Sequence, residues 1–221
     1  KLIAEQQVHN KVSDLGLLTE TAGAARETLG VEKIDAVADR GYFKMEDIET
    51  CEAAGIVPYV PKPQRGSAIA NGFFGKDQFR YDAEADTYIC PGGAALSRMR
   101  SRPVRGDIRL FDYGNATACK LCVLKARCTD ATSRKVTRYE NEAVLDRMAE
   151  RLAKRPEVLD QRRESVEHPF GSVKQWMGQG AFLMRRLENV RAEFSLTALA
   201  YNLRRAINLV GIPALIAAVR P

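Results

Sequence analysis

The sequence predicts an α/β fold whose opening strand–helix alternation is interrupted by a cysteine-rich insertion and completed by helices. Three observations carry this. Apolar runs alternate with helical periods over residues 1–61, Gly, Pro, Arg, Asn and Cys dominate 62–137, and helical patterning takes over in 138–221. Those ranges are the expected domain limits: an α/β layer, an insertion, and a helical remainder. With 45% hydrophobic and 28% charged residues the chain is ordinary for a globular protein with one sizeable core.

The elements follow in order. Residues 1–8 alternate apolar and polar, as a half-buried strand would. Residues 20–29 read as a helix that Gly30 ends. Residues 33–39 form a short apolar run suited to a buried strand, stopped at Arg40 and Gly41. A helix over 45–54 and a proline-closed strand over 55–61 come next. This alternation argues for at least two parallel strands and sets Asp39 at the C-terminal end of one, where open α/β sheets hold ligands. Asp14 falls in a turn and is not promoted to a site residue. Within the insertion, 79–82 and 87–90 read as short strands. Arg98, Arg100, Arg102, Arg105 and Arg109, with Asp107 the sole acid among them, read as a solvated loop able to meet phosphates without reading bases. Val144, Leu145, Met148 and Leu152 then mark a helical stripe that Pro156 interrupts. The final helix, 191–209, directs Phe194, Leu196, Leu199, Leu203 and Ile207 toward a core.

Two clusters carry chemistry. One is Asp39-Arg-Gly-Tyr42. The other is the helical set Arg163, Glu167 and Lys174, spaced by four and then seven residues. At about 3.6 residues per turn these steps return to nearly one face, so two cations would flank a lone carboxylate. Metal-dependent cutting of DNA needs that pairing: carboxylates for a divalent ion, cations for phosphates. Lys174 would serve as a point charge and Arg163 as a planar fork. The blander readings are a turn Asp at 39 and a solvated Arg163–Glu167 pair. Against the second stands Pro169, which removes a helix hydrogen bond and bends the chain next to Glu167. His168 and His9 read as packing residues, and Trp176 as core rather than a stacking platform.

At these residues the chain resembles the bacterial insertion-sequence transposases with a DDE, ribonuclease-H-like catalytic domain. Their second Asp often stands in Asp-x-Gly-Tyr, and their catalytic Glu in Arg-x-x-x-Glu-x-x-x-x-x-x-Lys. Their closing helix also carries a segment like Ala200-Tyr201-Asn202-Leu203-Arg204. The resemblance implies a ribonuclease-H-like mixed sheet with helices and two Mg²⁺ ions held by Asp39, Glu167 and a first Asp that no residue supplies. The N-terminal strands would then be missing, and the chain would be the C-terminal portion of a longer protein, inactive alone. Transposon ends and target DNA are the implied partners, with a second copy in a synaptic homodimer. Many relatives place a Tyr three residues before the arginine, where this chain has Asp160, so that contact is not carried over.

Cys119, Cys122 and Cys128, with Cys90 upstream, have the spacing of a structural zinc site, so the insertion is expected to be zinc-ribbon-like. It also resembles the cysteine-rich insertion of one group of those transposases. The alternatives are free thiols or, less in keeping with the rest, an iron–sulfur cluster. Cys51 reads as a small core residue. Lys and Arg total 34 against 28 acids, a net charge of +6 compatible with a polyanionic partner. No apolar run spans a bilayer, and the expectation is a cytoplasmic, nucleoid-associated protein. A catalytically inactive DNA-binding remnant is the alternative function, and a ribonuclease-H-like nuclease unrelated to transposition is a third.

Overall fold

The computed structural model describes residues 1–64, 66–103 and 108–219. It is mixed α/β and divides into two units, Lys1–Pro61 with Arg147–Pro221, and Lys62–Asp146. In the first, α1 (Leu18–Leu29) closes at Gly30, whose φ of 63° lets the chain reverse and whose N–H reaches back to the last turn. Strand β1 (Ile34–Val37), a 3₁₀ turn (Arg40–Tyr42), α2 (Met45–Ala53) and β2 (Ile56–Tyr59) follow. The strands pair in parallel from Ile34 opposite Ile56 to Val37 opposite Tyr59. One more bond, Ala38 N–H to the Tyr59 carbonyl at 3.1 Å, carries the ladder toward Asp39. Leu18, Ile48, Cys51, Ile56 and Val60 are buried beneath the helices, so Cys51 is the core residue its setting suggested.

Residues 1–8 are not a strand. Their polar backbone is met by side chains of the long helix instead. Asn202 accepts from the Ile3 N–H at 2.8 Å and donates to its carbonyl at 2.7 Å, while Arg191 donates to the Val8 carbonyl at 3.0 Å. An alternating pattern fits a strand, but a ladder needs a neighbouring strand edge, and here a helix stands in its place.

The second unit opens with α3 (Ser67–Ala70) and builds a five-stranded antiparallel sheet. Its strands are β3 (Arg80–Asp82), β4 (Thr87–Ile89), β5 (Ala95–Pro103), β6 (Arg109–Gly114) and β7 (Lys135–Tyr139), each paired with the next. Helix α4 (Ala116–Lys120) lies between β6 and β7. Phe79, Tyr88, Leu96, Tyr113 and Val136 form the core, with Tyr88 and Tyr113 edge-to-face at 5.2 Å. Although Gly, Pro, Arg, Asn and Cys dominate this segment, aromatic rings on alternate strand positions give it a core. Arg98, Arg100 and Arg102 lie in β5 and Arg109 opens β6, strand where a loop was expected, with a bulge between Arg98 and Arg100.

Helix α5 (Ala143–Lys154) is followed, after Pro156, by α6 (Glu157–Gly171), a π turn (Ser172–Trp176), α7 (Leu187–Val210) and α8 (Ile212–Val219). Within the first unit Glu52 on α2 accepts from both Arg147 and Arg151, and Arg155 bridges Asp35 at 2.8 Å and the Tyr59 hydroxyl at 2.9 Å. The core face of α7 differs from expectation. Ala198 and Tyr201 are buried, whereas Leu196, Leu199 and Leu203 are 69%, 64% and 51% exposed. The apolar period was real, but the polar Asn202 and Tyr201 fix the helix's inward face through their bonds to residues 1–3. No described helix is long and apolar enough to cross a membrane.

Candidate functional site

Asp39 leaves β1 in extended conformation and caps the 3₁₀ turn, its Oδ1 accepting from the Gly41 N–H at 2.8 Å. This explains the glycine. A Cβ at 41 would stand 2.9 Å from Asp39 Oδ1 and 3.4 Å from Asp14 Oδ2, so a larger residue would push the carboxylates away. Asp14, set aside on sequence grounds, therefore lies beside Asp39. Tyr42 reports the same crowding: burial, then Asp14 and Asp39, raise its hydroxyl above the ordinary range, and Arg162 opposes them. The Arg162 guanidinium pairs with Asp39 Oδ2 at 3.1 Å.

Helix α6 supplies that arginine and one wall of a groove of about 610 Å³ that includes Asp14, Tyr42, Val166, Pro169, Phe170 and Lys174. Arg162, Val166, Pro169 and Val173 follow the helical period, so the helix presents an arginine at the head of its inward stripe. Residue 167 is about 100° round from 166. Glu167 is exposed and has no hydrogen bond or ion pair among the described residues. Arg163 is likewise exposed and only approaches Asp160, at 3.8 Å. Of Arg163, Glu167 and Lys174, expected on a common face, only Lys174 borders the groove. Pro169 has no N–H to give the preceding turn, α6 ends at Gly171, and the chain widens into the π turn, closed by Met177 N–H to the Ser172 carbonyl at 3.0 Å. A step of seven that spans a π turn does not keep helical phase, and Lys174 turns up with the groove residues instead. Trp176, expected in the core, is 75% exposed at the end of that turn.

Sequence reasoning missed Arg162 and Asp14. The available signal for the first was an arginine in register with Val166, Pro169 and Val173, the apolar side of the helix. Nothing local marks Asp14, because its proximity to Gly41 is made by the fold.

In the second unit, Arg98 pairs with Asp86 at 3.3 Å and lies over the Phe111 ring at 4.7 Å. Arg100 and Arg102 both reach the buried Asp112, at 3.0 and 4.0 Å. Their charge is partly balanced inside the sheet, which weakens the patch as a phosphate-binding surface. Arg105 lies outside the described residues. Cys90, Cys119, Cys122 and Cys128 all border one cavity of about 320 Å³. The Cys122 and Cys90 sulfurs lie 3.5 and 3.7 Å from where a Cβ on Gly92 would stand. Burial first, and then the other three thiols, push the Cys128 thiol up. All four are free. Among the described residues, however, no group of three or more His, Cys, Asp or Glu is arranged to hold a metal ion. The thiols gather without forming the expected tetrahedron, and Asp39, Asp14 and Glu167 do not form a three-carboxylate site.

A family model described as a transposase DDE domain matches residues 89–207, more than half of the chain, a span that includes Glu167 and stops short of Asp39. No curated protein and no solved structure matches the chain.

Proposed function

The chain belongs to the transposase DDE-domain family, enzymes of DNA transposition, and from that premise we propose that it cuts and joins DNA through Asp39 and Glu167. The observation that carries this reading is the Asp39 carboxylate at the C-terminal end of β1, with Asp14 beside it and a groove lined by Lys174 next to them. The donor set is hard oxygen, which suits Mg²⁺, the divalent ion proposed here. When bound, such an ion would activate a water or 3′-hydroxyl and stabilise the leaving oxygen.

The chain's own groups do the remainder. Gly41 N–H and the Arg162 guanidinium hold the Asp39 carboxylate in one orientation. Lys174, on the groove wall, binds a phosphate, and Arg163 binds a second one from the exposed side of α6. Arg98, Arg100 and Arg102 contact backbone phosphates by exchanging partners with Asp86 and Asp112. Glu167 joins the carboxylates when DNA engages α6; its exposure and lack of partners leave it free to do so. Two copies acting on the two transposon ends complete the reading, with the ribonuclease-H-like fold assigned to the first unit. The four thiols at one cavity support a structural Zn²⁺, for which the side chains have to rotate inward.

A second reading, a DNA-binding remnant without catalysis, is favoured by one observation: Glu167 does not stand with Asp39. Nicking of supercoiled plasmid with Mg²⁺ separates the two. The transposase reading expects nicking, lost by about 10³-fold or more in Glu167→Gln and Asp39→Asn, since several kcal/mol of charge stabilisation go with either ligand. DNA affinity should change less than about twofold in Glu167→Gln, an exposed site. Gel shifts without nicking would establish the remnant, and undiminished nicking by Glu167→Gln would remove that residue from the mechanism.

A further inference from the structure

Past the π turn, a third cavity, of about 270 Å³, is lined by His168, Trp176, Tyr201, Arg204, Arg205 and Asn208, among others. It is separate in its lining from the Asp39 groove. Its chemistry is not that of a packing defect. The Trp176 indole forms one wall and is 75% exposed, although tryptophan is among the more buried residue types. Neither Arg204 nor Arg205 has an acid partner among the described residues.

The aromatic floor is fixed. The Tyr201 hydroxyl donates to the Lys1 carbonyl at 3.0 Å, so the 3.1 Å contact with His168 Nδ1 must use a proton on the imidazole. In the neutral ring that leaves His168 Nε2 as an acceptor. A stacking face, two guanidinium groups without acid partners, an imidazole acceptor and the Asn208 amide together match one nucleotide: a base to stack, a base edge to bind, a phosphate to neutralise. The volume, about 270 Å³, lies just below the range of small-ligand sites, about 300–1,000 Å³, and would not admit a base pair within a duplex.

We infer that this cavity receives one unpaired nucleotide of a DNA strand, stacked on Trp176 with its phosphate on Arg204 and Arg205. The inference rests on the reading that the chain acts on DNA. It adds that a strand end or unpaired base is gripped one residue along the chain from Glu167, at His168.

Trp176 is the sole tryptophan, so the fluorescence of the full chain reports this site directly. The probes are a single-stranded oligodeoxynucleotide of about 15 nucleotides, its blunt duplex, and thymidine monophosphate, at physiological salt. The single strand is expected to quench the emission with the same Kd that anisotropy of a labelled strand gives. Trp176→Ala and Arg205→Met should each weaken single-strand binding about tenfold, the size of one base-stacking contact, with duplex binding within twofold. Trp176→Phe should keep most of the affinity, and an unchanged Tm in Trp176→Ala would show that folding is intact. A single strand that binds without quenching, or equal weakening for both DNA forms, overturns the pocket while leaving the transposase reading in place. Quenching by thymidine monophosphate at comparable concentration overturns the strand assignment in favour of a free nucleotide. A chain that binds neither DNA form sinks both the pocket and the function it rests on.

Discussion

Replacing Asp47 by alanine should destabilise the first unit by uncapping the start of α1. Helix α1 begins at Leu18 with no capping side chain of its own, since Leu17 occupies the cap position. Asp47, on α2, supplies the cap from outside: its carboxylate accepts from the Leu18 N–H at 2.9 Å, the Thr19 N–H at 3.2 Å and the Thr19 hydroxyl at 2.6 Å. Asp47 and Leu18 are both buried, so water does not replace the carboxylate readily. Losing a cap costs about 0.5–2 kcal/mol, and leaving a buried N–H unpaired costs about 1–3 kcal/mol. Because the two overlap, about 3 kcal/mol is expected for Asp47→Ala. Asp47→Asn retains one oxygen acceptor and loses the charge that suits a helix N-terminus, which makes about 1 kcal/mol the expectation. Urea unfolding followed by circular dichroism reads the difference as a shift in midpoint at constant slope. A loss below about 0.5 kcal/mol in Asp47→Ala would refute the capping argument. Equal losses in the two variants would assign the effect to charge and not to the bonds.

Other outcomes follow from the insertion and the groove. Zn²⁺ is expected to raise the Tm of the full chain, EDTA to reverse this, and Cys122→Ser to abolish the response; a zinc-indifferent Tm would reject the structural ion. Alkaline pH should destabilise the second unit. Burial pushes Tyr88 up to about 12, and burial together with the Asp86 hydrogen bond raises Tyr113 as well. Both folded values exceed the ordinary value near 10, so the folded state holds protons that the unfolded chain has released. Stability is then full below pH 10 and falls as pH rises toward 12, with tyrosinate absorbance showing two late groups; ordinary titration of every tyrosine would count against it.

What the sequence determined by itself is what short-range physics encodes. The α1–β1–α2–β2 alternation lies within about two residues of its expected limits, because periodicity, Gly30 at a left-handed C-cap and the break at Pro156 are local signals. Asp39-Arg-Gly-Tyr42 was legible for the same reason: the glycine leaves space that Asp39's own side chain needs. The family, too, could be reached from these motifs. Only the tertiary structure decided who stands beside Asp39. Arg162 and not Arg163 reaches it, since 162 stands on the stripe of Val166 and Pro169 and 163 is about 100° round from it. Asp14 and the Asp47 cap depend on contacts across a turn and between helices, and the exposed Leu196–Leu199–Leu203 face on which side of α7 residues 1–3 occupy. A side chain's partner across the fold is set by how helices and strands pack, and no spacing along the chain encodes that directly.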